Sequence, residues 1–120
     1  MSEQSVSNLR VDELSLHIEL LAKSPTHIDG WGTIADYEWE FYSRSNQWTF
    51  AVSLDRNIHP SRWEETEVSP HNFFLIQQTQ GGARAYWASE LPLSKAVEII
   101  RWCSKQFIEH IENKYHTRKL

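Results

Sequence analysis

Cysteine is almost missing from this chain. Cys103 stands alone, so no disulfide can close within it, which is compatible with a reducing compartment. Proline and glycine are scarce, four of each, and gather in no linker; repeats and low-complexity tracts are absent as well. Nothing therefore divides the 120 residues, and 1–120 reads as a single domain with frayed ends at 1–8 and 116–120. A chain of this length buries roughly two-thirds of its unfolded surface, enough for a core without staples. Long apolar runs are lacking too: Phe73-Phe74-Leu75-Ile76 is among the longest, far short of the ~20 residues that cross a bilayer. Met1 to Asn8 is polar, with Glu3 and no basic start or apolar stretch, so a cytoplasmic protein without membrane contact is expected. Basic charge is the minority, 12 Lys and Arg against 16 Asp and Glu. The net charge of −4 and pI of about 5.8 make nucleic acid an unfavoured partner.

What the chain has is rings: aromatics make up 12%, with six Trp, in a composition that is 40% hydrophobic and well away from that of disordered chains. Tyr37, Trp39 and Phe41 alternate with Glu38 and Glu40, and Trp48, Phe50, Val52 and Leu54 alternate with Thr49, Ala51 and Ser53. Period two on both sides predicts a hairpin. A turn over Ser43-Arg44-Ser45-Asn46 would set Tyr42 opposite Gln47, Phe41 opposite Trp48, Trp39 opposite Phe50 and Tyr37 opposite Val52, with the large apolar groups on one face. Gly81-Gly82 predicts a second tight turn, with Phe74, Ile76, Ala85 and Trp87 on one face and Leu75, Gln77, Tyr86 and Ala88 on the other. After Pro92 the period becomes 3.6. Leu93, Ala96, Val97, Ile100, Cys103, Ser104, Phe107 and Ile111 then form one stripe of a long amphipathic helix, with Lys114, Arg118 and Lys119 at its negative end.

Two regions read less cleanly. Over residues 12–22, Leu14, Leu16, Ile18 and Leu20 alternate as in a strand although the composition favours helix; strand is preferred, because a helix would carry leucines on opposite sides. The connection over 55–72 exceeds the usual link of roughly two to six residues, so it is expected to carry structure. Ser61, with Glu64 three residues on, is a candidate capping box for a short helix there. The fold class that follows is α+β: an antiparallel β-meander of about five strands with the C-terminal helix packed on one face.

No spacing announces catalysis, a cofactor or a metal. His27 and Asp29 are read as solvated loop residues, His110 and His116 would point about 120° apart on a helix, and Cys103 on the buried stripe is read as inert. From Ser24 to Ser43 there is no Lys or Arg beside Asp29, Asp36, Glu38 and Glu40, and Glu64, Glu65 and Glu67 form a second acidic group. A basic partner is one reading; a solvated strand face is the plainer one. Trp102 projects about 160° from Ile100 on a helical wheel, among Lys95, Glu98, Lys105 and Glu109 and next to Arg101, the composition of an interface anchor with its rim or of a ring lying on lysine stems. Trp63, in the long connection, is either a lid or a contact, and the sequence leaves Trp31, between Gly30 and Gly32, equally open.

The expectation is thus a non-catalytic protein-binding module of accessory, inhibitor or immunity type, using Trp102, Arg101, Glu98, Trp63, Glu64 and Glu65 against a protein partner, with homodimerisation through the C-terminal helix as a variant. One alternative is a small-ligand binder or small enzyme whose aromatic pocket includes His59 or His71. Another is a single-strand nucleic-acid binder stacking bases on sheet aromatics, against which the acidic balance argues.

Overall fold

The computed structural model describes residues 7–24, 27–44, 47–65, 67–79 and 93–118. Six strands follow one another, β1 (Ser7–Glu13), β2 (Leu16–Ser24), β3 (His27–Ile34), β4 (Tyr37–Arg44), β5 (Gln47–Ser53) and β6 (Phe73–Thr79). Each pairs antiparallel with the next, so spatial order equals chain order. Two 3₁₀ turns, Pro60–Glu64 and Pro70–Asn72, interrupt the connection before β6, and one helix, α1 (Leu93–Arg118), ends the described chain. The architecture is α+β, an antiparallel meander followed by a long helix against the sheet, with six strands rather than about five.

Alternation explains which face meets the helix. Leu16, Ile18 and Leu20 of β2, Ile28 and Ile34 of β3, Trp39 and Phe41 of β4, and Trp48, Phe50 and Val52 of β5 are all buried on one side. Against them α1 buries Ala96, Val97, Ile100, Cys103, Ser104 and Phe107, the stripe predicted from the 3.6 period. Phe107 is fully buried and sits edge-on to Tyr37 and Phe74, with ring centroids at 5.1 and 5.3 Å. Burying such a ring stabilises the fold by roughly 1.5–3 kcal/mol. Desolvation at the same interface pushes the Cys103 thiol up to about 12, so it is a packed hydrophobe.

The ambiguous segment 12–22 is two strands, not one and not a helix. β1 and β2 meet at Glu13↔Leu16, and Leu14, expected inside a strand, is at the turn and 104% exposed. Ser7 and Asn8 pair with Ala22 and Leu21, and the α1 backbone continues through residues 116–118. The β4–β5 register is also corrected. Trp39 faces Val52, Phe41 faces Phe50 and Ser43 faces Trp48, with Arg44↔Gln47 the last pair, so only residues 45 and 46 separate the strands. The slip from the expected pairing is two residues, an even number, and therefore every ring stays on its expected face. The expected partners remain diagonal neighbours, with Trp39–Phe50 and Phe41–Trp48 centroids at 5.5 and 5.9 Å. The second expected hairpin keeps its first strand as β6; its Gly81-Gly82 turn and residues 83–88 lie outside the described residues.

His27 and Asp29, read from sequence as loop residues, belong to β3. On the helix side its row is Ile28, Gly30, Gly32, Ile34, and the glycines are demanded by close packing. A Cβ on Gly30 would lie 2.6 Å from Leu20 Cδ2, and one on Gly32 would lie 1.8 Å from the His17 carbonyl oxygen and 3.0 Å from the Trp39 ring. These two gaps admit Leu20, Phe41 and Trp39, and the intervening Trp31 is sent to the other face.

Candidate functional site

That other face is where the polar and exposed aromatic groups collect. Cross-strand pairing lays Glu19, Trp31, Glu40, Ala51 and Leu75 in one row across β2 to β6, and Leu21, Asp29, Tyr42, Thr49 and Gln77 in the next. The first 3₁₀ turn folds back over this side of β5 and β4, and Ala51 beneath is fully buried. Its start differs from the expected Ser61–Glu64 box. His59 is the N-cap, with Nδ1 accepting the Ser61 backbone N–H at 3.1 Å, and Pro60 follows with its ring buried.

Between turn and sheet lies an open concavity of about 830 Å³. Its floor is Asp29, Glu40, Tyr42, Thr49 and Gln77; Trp31 borders it from β3, Ser61, Trp63 and Glu64 from the turn, and Arg44 and Gln47 at the β4–β5 end. Trp31 is 45% exposed and Trp63 half-buried. The Arg44 guanidinium lies over the Tyr42 ring, 4.8 Å from its centroid. Gln77 Nε2 donates to Thr49 Oγ1 at 3.3 Å, which leaves the Gln77 carbonyl oxygen as an acceptor in the concavity.

Charge here is unevenly paired. Asp29 meets Lys23 Nζ at 2.9 Å and lies 3.2 Å from His27 Nε2, a proximity without hydrogen-bond alignment, since that buried nitrogen bonds to no described group. Glu40 and Glu64 have no ion pair with a described residue. Burial pushes the Glu40 carboxyl above the usual carboxylate range; His59 opposes this, and Asp29 and Glu64 add to it. Further along the face the charges satisfy one another: His17 Nδ1 contacts Asp12, its Nε2 lies 3.0 Å from Glu19 Oε2, and Arg10 lies near both carboxylates. The hydrogen bond to Asp12, then that to Glu19, holds the His17 imidazole above its ordinary value.

No family model, curated protein or solved structure matches the chain.

The residues expected to bind a partner are split between two surfaces. Trp63 and Glu64 join the concavity, while neighbouring Glu65 is held by Arg62, Nε to Oε1 at 2.9 Å. Trp102, Glu98 and Arg101 are on α1, on the opposite side of the sheet. Trp102 is 47% exposed and borders a hollow of about 400 Å³ with Ile99, Trp48, Gln78, Lys95 and Glu98, and Glu98 pairs with Lys95 at 3.6 Å. Arg101 is engaged inside the molecule, its Nε donating to Glu13 Oε2 at 3.0 Å. Sequence reasoning missed Trp31, Asp29 and Glu40 as companions of Trp63. Their shared parity across β3 and β4 appears only in the paired sheet, because glycines at two of the four helix-facing positions of β3 erase the alternation from the sequence.

The two histidines of the ligand-pocket alternative, His59 and His71, both lie at the 3₁₀ turns. Ser61 Oγ is 2.8 Å from His59 Nδ1, but that nitrogen already accepts the Ser61 amide, so the pair caps a turn. His71 lies in the second 3₁₀ turn, capped by Ser69 and exposed. Among the described residues no three His, Cys, Asp or Glu gather as metal ligands. No helix of the described residues is long and apolar enough to cross a membrane.

Proposed function

We propose that this chain is a non-catalytic protein-binding module, of accessory, inhibitor or immunity type and cytoplasmic, that docks a basic surface of another protein onto the sheet face opposite α1. One observation carries the reading: two tryptophans from elements distant in sequence, Trp31 and Trp63, border the same concavity as two carboxylates, Glu40 and Glu64, that pair with no described cation. Tryptophans are enriched among interface anchors, and carboxylates without a described counterion complement a basic partner. Half-buried Glu40, which pairs with no described cation, costs stability, so its presence makes sense where a cation arrives with the partner.

The test is affinity capture from the host with the wild-type chain, Trp31→Ala, Trp63→Ala and Trp102→Ala. The reading expects one captured protein, lost with the first two variants at unchanged Tm and released by salt. A partner lost only with Trp102→Ala would move the docking surface to α1. That face supports the second reading, homodimerisation, because Trp102 and Ile99 border an open hollow. Light scattering that gives a dimer for wild type and a monomer for Trp102→Ala would favour it.

A further inference from the structure

Resting on the docking reading above, we infer that the concavity is a receptor for a single arginine side chain of the partner, taken between Trp31 and Trp63 with its guanidinium on Glu40 and Glu64. The site asks for a cation, since its floor carries a half-buried carboxylate with no counterion among the described residues and its rim a second one. A lysine would satisfy the charge but not the surroundings. Its ammonium is compact and strongly hydrated, and stripping that water beside half-buried Glu40 is costly; a guanidinium is flat, more weakly hydrated, stacks on rings and grips carboxylates with two parallel N–H bonds. The same face shows the stacking mode in its own chain, where Arg44 lies on Tyr42. Five N–H donors need several acceptors. Glu40, Glu64 and the side-chain carbonyl oxygen of Gln77 supply them around one space.

Arg44 borders the concavity too, so its charge sets a threshold that an incoming cation must overcome. Replacing it with a neutral residue of similar reach, Arg44→Gln, is expected to tighten arginine binding, because one repulsive charge leaves the rim.

The probe is N-acetyl-arginine amide, titrated into the full-length protein while the indole N–H resonances of Trp31, Trp63 and Trp102 are followed by NMR. The inference expects saturable shifts at Trp31 and Trp63 and none at Trp102. It also expects binding at least tenfold weaker with the neutral isostere N-acetyl-citrulline amide, several-fold weaker with N-acetyl-lysine amide, and at least tenfold weaker for Glu40→Gln, which keeps shape and removes charge. Citrulline binding as well as arginine, an unchanged affinity for Glu40→Gln at intact Tm, or shifts confined to Trp102 would each overturn it. The two levels fail separately. A captured partner lost with Trp63→Ala but not displaced by excess arginine amide would leave the docking face standing and remove the arginine receptor; a partner indifferent to both tryptophans would remove the docking face itself.

Discussion

Arg101, about a third of the way along α1, grips Glu13 at the end of β1, with Nε 3.0 Å and 3.3 Å from the two carboxylate oxygens and Nη2 on one of them as well. The forked contact ties the helix to the edge of the sheet across 88 residues of sequence. An arginine expected to face a partner thus serves the fold, and Glu13 holds its guanidinium above the usual range. Both groups are solvated, so the effect on stability is small and screened by salt. Arg101→Ala should lower Tm by less than Phe107→Ala does, and the coupling in a double-mutant cycle with Glu13→Gln should vanish in 1 M salt. Coupling that persists there would mean the pair acts through packing.

Gly32 is the position where the smallest change should do most harm. A Cβ there meets backbone rather than a flexible side-chain end, so Gly32→Ala must shift β2 or β3, at a cost of about 3 kcal/mol or more. In an ordinary strand the same change would stabilise by about 0.5–1 kcal/mol. Urea unfolding decides between the signs.

The β3–β4 turn carries strain that can be relieved. Ala35 and Asp36 both have positive φ, 48° and 71°, a conformation that suits Asn-Gly between strands. Asp36→Gly is expected to raise stability by about 0.5–1 kcal/mol, less what glycine adds to unfolded-chain freedom. No gain in thermal unfolding would show that the aspartate has a compensating contact.

Glu40 should make stability depend on pH in the unusual direction for a carboxylate. Its folded pKa lies above the unfolded one through burial first, with Asp29 and Glu64 adding and His59 opposing. A raised folded value means that the contribution is fully present below the unfolded pKa and is lost as pH rises through the folded one. At neutral pH the ionised group therefore weighs against the fold. Glu40→Gln should raise Tm at pH 7 and lose that advantage as pH falls into the carboxylate range, while weakening binding of the arginine probe. A Tm difference that stays constant with pH would show that Glu40 titrates normally.

What the amino-acid order settled was parity and period. Trp39, Phe41, Phe50 and Val52 could share a face only as strands, and Ile100, Cys103 and Phe107 only as helix, because side-chain direction repeats every two or every 3.6 residues whatever the surroundings. The β4–β5 register could still slip by two without violating that rule, and it did. Parity was unreadable in β3, where glycines stand at two of four helix-facing positions and the one large residue, Trp31, points the other way. The need for those glycines lies in Leu20, Phe41 and the His17 carbonyl, which only the folded sheet brings near. The concavity was decided at the same level: Trp31, Glu40 and Trp63 become neighbours through strand pairing and a turn folded back over Ala51, contacts between distant segments that no local pattern encodes.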